Sequence, residues 1–331
     1  MTDTGLTPAD LAGSKQRNRI ESLVKAGVGS AASLSIVISL AILAVLIVRS
    51  VGFLAQVEWS SLVSSLGWFP RSNRFDLVTL LLGSLWVTGI ALVVATPLGV
   101  GAAVYLSEYA SARVRRWLKP SVEILAGLPS VVVAYFILQV IYPTALEGVL
   151  ESKYTLLAAG IGVGILTIPI IASVTEDALS AVPNALREAS VGLGARKAVT
   201  TVRVVIPAAV SGITAALIVG ASRALGETML VPLVAGGANG SARALGPASA
   251  SGGVTMTSAM ANLAAGSDSV AVSTGVTLNP VNSLYVVGLV LFAFAVGGSE
   301  SMVVIYGVIF VNALALAFEA PARQALLPMV V

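Results

Sequence analysis

The sequence predicts an all-α integral membrane protein with about six transmembrane helices, and three observations carry that expectation. Hydrophobic residues make up 56% of the 331 residues and charged ones only 11%, against roughly 25% charged in an ordinary soluble domain. The mean hydropathy is +0.94. Apolar runs also recur at close to the roughly 20 helical residues that a hydrocarbon core requires. The chain has no cysteine and no histidine. Disulfides, thiol nucleophiles, histidine bases, haem and nearly all zinc or copper sites are thereby excluded, and no catalytic residue, metal or cofactor is expected.

The first run, roughly Gly27 to Val51, follows Lys15, Arg17, Arg19 and Lys25. It is too long for a secretory signal, and FLAQ after it lacks a small-x-small cleavage pattern, so it reads as a retained anchor. Leu77 to Tyr105, Ile124 to Tyr142, Leu156 to Val174 and Pro207 to Val234 follow as the second to fifth runs. A sixth begins near Leu284, and Leu284 to Phe318 is 35 residues interrupted by GGSES at 297–301. As a helix it would measure about 52 Å, too long for one span and too short for two, which predicts one span with an irregular tail.

Lys and Arg sort by loop. Four precede the first run, four lie between the second and third (Arg113, Arg115, Arg116, Lys119), and four between the fourth and fifth (Arg187, Arg196, Lys197, Arg203). The opposite side holds five: Arg49, Arg71, Arg74, Lys153 and Arg243. The twelve-to-five bias puts the N-terminus in the cytoplasm, and an even span count returns the C-terminus there. The expected organisation is a basic segment 1–26, a transmembrane domain 27–318 and a tail 319–331. Within the domain lie a cytoplasmic loop at about 180–206 and an extracytoplasmic Gly, Ala and Ser-rich loop at about 236–282. ARALG at 242–246, in that loop, echoes SRALG at 222–226, which so Ala-rich a region explains by chance.

The cytoplasmic loop reads VPNALREASVGLGARKAVTTVRVVIPAAV, from Val182 to Val210. Pro183 suits a helix start and Ala185 to Ser190 continue it, until Gly192 and Gly194 break it. A second short basic helix leads back to Pro207. Two short helices around a glycine turn make a compact knob, or else an ordinary loop ordered only by its own caps.

SRALGETML, residues 222–230, puts Arg223 and Glu227 four residues apart within an apolar run. Counted from Pro207, Arg223 lies about 24 Å along a helix and Glu227 one turn further out, in the outer half. An arginine at a span centre costs about 2.5–3.5 kcal/mol on insertion scales, which pairing lowers. The pair either neutralises itself, or faces a water-filled path where guanidinium donors meet a tetrahedral oxyanion and the carboxylate keeps binding weak enough for release. AGLPS, 126–130, carries two readings of its own. Pro129 sets the angle of the third span, or Ser130 and exposed backbone amides contact the anion. Thr167 with Pro169 reads as a kink.

Glu188, Ala189, Gly194, Val204, Ile206 and Pro207 resemble the E-A-A, three residues, G, nine residues, I-x-L-P pattern of ABC importer permeases, with Ser190 in place of the second alanine. RALGETM resembles the R-A-[IL]-G-E-T-M run of the phosphate (Pst) permeases, and Thr228-Met229 is closer to their PstC subunit than to PstA, which tends to G-E-T-A-P. AGLPSVV, 126–132, is similar to the same family, and the likeness extends from the first span to Phe294. The resemblance implies a type I ABC importer (MetI-like) permease fold in a bacterial cell membrane and import of inorganic phosphate. It implies a substrate pathway with Arg223, Glu227, Thr228 and Ser130, and ATPase coupling through Glu188, Ala189, Gly194 and Pro207. The implied partners are a homologous PstA-like permease subunit, PstB-like ATPase subunits, an extracytoplasmic phosphate-binding protein and membrane lipid. A helix fixed to two spans moves both when a soluble motor closes. The chain has no G-x-x-x-x-G-K-[ST] run, so hydrolysis belongs to another polypeptide and no enzyme activity is expected here. Sulfate and molybdate permeases share related runs, and a gradient-driven anion transporter would explain the pair while leaving the 188–207 loop without a purpose.

Overall fold

The computed structural model describes residues 15–63, 67–70, 74–148, 150, 152–235, 252–264 and 281–297, with side chains from 22 to 293 within those ranges. Its contacts divide the chain into two compact units, 1–50 with 289–331, and 51–288. In the first unit lies most of helix α1, Lys15–Leu54, uncharged from Ala26 to Val48. Helix α12, Asn282–Gly297, ends there too. The remainder of the expected last span, with the tail and the 242–246 echo, lies outside the described residues.

The second unit opens with a short helix α2, Trp59–Leu62, and a two-residue hairpin, β1 Trp68–Phe69 and β2 Arg74–Phe75, registering Trp68 opposite Phe75. Phe75 stands edge-on to Phe53 at 4.9 Å and to Trp68 at 5.9 Å, favourable geometry for aromatic quadrupoles. Asp76 then starts α3, Leu77–Tyr109. One carboxylate oxygen accepts from the Val78 and Thr79 amides, and the other from the Thr79 hydroxyl at 2.6 Å and the Gly67 amide at 3.1 Å. A helix start leaves orphan donors, and this side chain satisfies them. Thr155 does the same for α6, Leu156–Ser180, accepting from the Ala158 amide at 3.1 Å.

Helices α3 and α6 are the principal packed pair. They approach closely because glycines remove side chains at the contact. A Cβ on Gly160 would come within 2.6 Å of Ile90, one on Gly164 within 2.9 Å of Val94, and one on Gly99 within 2.9 Å of Ile171. Small residues at helix contacts are how apolar helices gain van der Waals packing where lipid provides no hydrophobic driving force. Helix α9, Val210–Leu225, meets α6 in the same way through Gly212 and Gly220.

Among the described residues three helices are long and apolar enough to be continuous spans: Ser22–Leu54, Leu77–Tyr109 and Leu156–Ser180. The expected third and fifth spans are not single helices. Helix α4, Ala112–Ala126, meets α5, Ser130–Leu146, at 93°, and α8, Lys197–Ala208, meets α9 at 70°. The first bend falls at Gly127 to Pro129, where proline's missing N–H and fixed φ end one helix and begin the next. Helix α4 is amphipathic: Arg115 and Lys119 bind the buried Glu176 near the end of α6, while Trp117 and Ile124 are exposed.

Within the expected extracytoplasmic loop at about 236–282, the described residues 252–264 hold a helix: α11, Met256–Ala264, is packed against α3, with most of its side chains buried. A reciprocal cap starts it, the Thr255 amide donating to Ser258 Oγ at 2.8 Å and the Ser258 amide to Thr255 Oγ1 at 3.2 Å, and Thr255 Oγ1 and Thr257 Oγ1 lie 3.1 Å apart. Gly83 accommodates the Val254 carbonyl, which a Cβ would meet at 2.4 Å. The Met256 amide donates to Ser84 Oγ at 3.0 Å.

Candidate functional site

Two places gather the residues singled out in the sequence. The first is the knob. Helix α7, Asn184–Gly192, follows Pro183, and Gly194 stands at φ 83°. The Gly194 amide donates to the Val191 carbonyl at 2.8 Å and the Ala195 amide to that of Ser190 at 3.1 Å. These are the paired bonds of a Schellman motif, whose left-handed position favours glycine. The chain then reverses into α8. Ser190 Oγ and Thr200 Oγ1, 2.9 Å apart, hold the two helices together. Helix α7 buries no residue: Glu188, Ala189 and Val191 are exposed, as is Leu193 beyond it at 91%. Glu188 has no hydrogen bond or ion pair among the described residues. Pro207 is exposed in the last turn of α8, just before the 70° bend.

Arg187, counted in the sequence only among the loop charges, is the most extensively bonded side chain of the knob among the described residues. Its guanidinium donates to Glu108 Oε1 at 2.8 and 3.2 Å, to the Leu179 carbonyl at 2.8 Å, to the Val182 carbonyl at 2.6 Å and to Asn184 Oδ1 at 3.3 Å. Glu108 ends an apolar run in YLSEYA, and an acid at the margin of a span is the signal that would have drawn attention to it.

The second place is the charged pair. Arg223 Nη1 does reach Glu227 Oε2, at 2.8 Å. The two do not share a helix, however. Helix α9 ends at Leu225 with Gly226 as its cap, and Glu227 lies in the turn before α10, Leu230–Val234. Its other oxygen accepts from the Met229 and Leu230 amides, each at 3.2 Å, and so satisfies orphan donors at that helix start. Its backbone carbonyl accepts from Thr257 Oγ1 of α11 at 2.7 Å. Glu227 is 3% exposed and Arg223 42%. The remaining Arg223 donors have no partner among the described residues. Thr228 is exposed beside the pair. Ser130 is half-buried in the first turn of α5, with no hydrogen bond to the pair among the described residues. Helix α5 does pack against α10, and Val133, Ala134, Leu230, Val231 and Val234 share one apolar cluster. Thr167 donates to the Val163 carbonyl at 2.7 Å within an unbroken α6.

A family model described as "Binding-protein-dependent transport system inner membrane component" matches residues 95–297, from the middle of α3 to the end of α12. The chain belongs to that family. It is a multi-pass membrane protein with the all-α ABC importer permease fold expected from the sequence. Three similar proteins are a probable ABC transporter permease protein YqgH of Bacillus subtilis, phosphate transport system permease protein PstA 1 of Mycobacterium tuberculosis, and phosphate transport system permease protein PstC of Haemophilus influenzae. The first is 33% identical, over 53% of this chain and 57% of its own length. The second is 36% identical, over 54% and 58%. The third is 31% identical, over 66% and 75%. The chain thus spans well under two thirds of the first two, and three quarters of the third.

Proposed function

We propose that the chain is the membrane-spanning permease subunit of an ATP-driven importer of inorganic phosphate, with a cytoplasmic N-terminus. In this reading a homologous PstA-like permease subunit completes the pathway, PstB-like ATPase subunits seat the knob at Glu188, Ala189 and Gly194, and an extracytoplasmic phosphate-binding protein delivers the ion. The observation that carries it is the asymmetry of the pair. Glu227 is buried and its two oxygens are both occupied, whereas Arg223 is exposed with unspent donors. A planar guanidinium offers several parallel donors to a tetrahedral oxyanion, and a neighbouring fixed carboxylate keeps the ion from binding too tightly to leave. The names of the similar phosphate permeases support the choice of ion, and the exposed knob supports the external motor.

The test is uptake of labelled phosphate in a strain lacking its own importer, with partner subunits co-expressed. Uptake of phosphate but not of labelled sulfate is expected. Sulfate uptake alone would replace the substrate, and uptake without the ATPase would replace the mechanism. Single cysteines in this cysteine-free chain at Lys119 and Lys197 should label only from inside, and labelling from outside would reverse the orientation.

A further inference from the structure

Chain connectivity ties α7 to α6 before it and to α8 after it. It does not tie α7 to α3, whose inner end is 79 residues away from Arg187 at Glu108. Yet α7 has no buried residue of its own, so packing does not fix it either. What ties it to α3 by an ion pair is one side chain. Arg187, 20% exposed, binds the 7% exposed carboxylate of Glu108 through two nitrogens and at the same time the carbonyls of Leu179 and Val182 where α6 ends. The planar fork of a guanidinium can hold an acid and carbonyls in one fixed orientation, which a lysine ammonium cannot. A second clasp lies alongside: Lys197 Nζ at the start of α8 stands 5.1 Å from the Tyr109 ring centroid, at the end of α3, within cation–π range.

We propose that Arg187 is a positioning residue that makes α7 and the inner end of α3 one moving body, so that a push on the knob reaches α3 directly as well as α6 and α8. The inference rests on the coupling role given to the knob above. A rigid element shared between two helices transmits motion only if it has no freedom relative to either. The arginine removes that freedom at the one place where the knob touches α3 by an ion pair.

Glu108→Ala is the informative variant, because it cuts the link to α3 and leaves Arg187 on the two carbonyls. Tyr105→Cys and Leu193→Cys, both exposed positions, would carry spin labels on the full chain in membranes. The expected distance distribution is narrow in the parent and at least about twofold broader with Glu108→Ala; an unchanged width would overturn the proposal. In the assembled transporter, Glu108→Ala should lower phosphate uptake about tenfold while ATP hydrolysis persists, so that more ATP is spent per ion. A proportional fall in both would mean lost assembly only and would also overturn it. Lys197→Met, which removes the weaker clasp, should broaden the distribution less than Glu108→Ala; the reverse order would give the latch to the wrong residue. Should the parent import no phosphate at all, the functional reading fails, while the distance measurement still decides the latch.

Discussion

Two arginines in this molecule stand beside acids and are used in opposite ways. At the knob the arginine is the anchored partner: Arg187 spends its donors on Glu108, Leu179, Val182 and Asn184. At the pair the acid is the anchored partner: Glu227 is bonded to Met229 and Leu230 amides, and Arg223 makes a single bond to it. An arginine with its donors satisfied by protein is a strut, whereas one with donors unspent has capacity for a ligand. Charge alone does not separate these cases; exposure, 20% against 42%, and the count of satisfied donors do.

The largest effect expected from breaking this contrast is at Arg223. Arg223→Gln should reduce phosphate uptake to background and leave assembly intact, because only an exposed group with one partner is removed. Glu227→Gln should impair uptake less, since the amide oxygen can still accept from the Met229 and Leu230 amides while the pairing charge is gone. Glu227→Ala also deletes that cap, which costs about 0.5–2 kcal/mol, and should lower assembly as well. The double variant Arg223→Gln with Glu227→Gln decides the matter. Restored uptake in it would show that the charges serve only each other.

Next comes the glycine of the knob. Gly194→Val puts a β-branched residue at φ 83°, a strained conformation costing about 1–3 kcal/mol. The chain should still insert, yet the ATPase should no longer co-purify. Glu188→Lys reverses an exposed charge without touching the fold and should lose the ATPase as well. Normal co-purification of both variants with undiminished uptake would remove the knob from the coupling path.

What was readable in the sequence divides along the same line between local and non-local physics. The local shape of the knob was legible because Pro183, helix formers and Gly194 act within a few residues of themselves, and the structure adds the identity of the turn and the side-chain contacts that cross it. The pair was legible as two charges in an apolar run. Its placement on one helix was not, because Gly226 ends α9 where hydropathy continues unchanged. The break at Ala209 escaped for that same reason, since a hydropathy window registers length and not direction, whereas Pro129 marks a change of angle at the third span. The segment 252–264 read as a loop because serine and threonine count as polar even when their hydroxyls bond one another and leave the helix free to pack. Gly160 and Gly164, four apart, carried a close-packing signal that could have joined α6 to α3. Nothing in the order of residues could have joined Glu108 to Arg187.

The smallest expected effect concerns a departure from the family pattern. Ser190 stands where the pattern has alanine, and its hydroxyl is paired with Thr200 Oγ1 at 2.9 Å, bridging α7 and α8. A single hydrogen bond of this kind contributes about 0.5–1.5 kcal/mol net, and the Schellman bonds at Gly194 already define the turn. Ser190→Ala should therefore keep uptake within about twofold of the parent, while amide exchange over α7 rises modestly as the two helices separate more often. Thr200→Ala, at a buried position, should raise exchange at least as much, because it removes the same bridge and also the hydroxyl's bond to the Arg196 carbonyl at 3.4 Å. If Ser190→Ala instead lowered uptake as much as Glu108→Ala, the rigidity of the knob would reside in the α7 to α8 bridge. The contrast between a strut arginine and a ligand arginine would then lose its first half, since Arg187 would merely cap the end of α6.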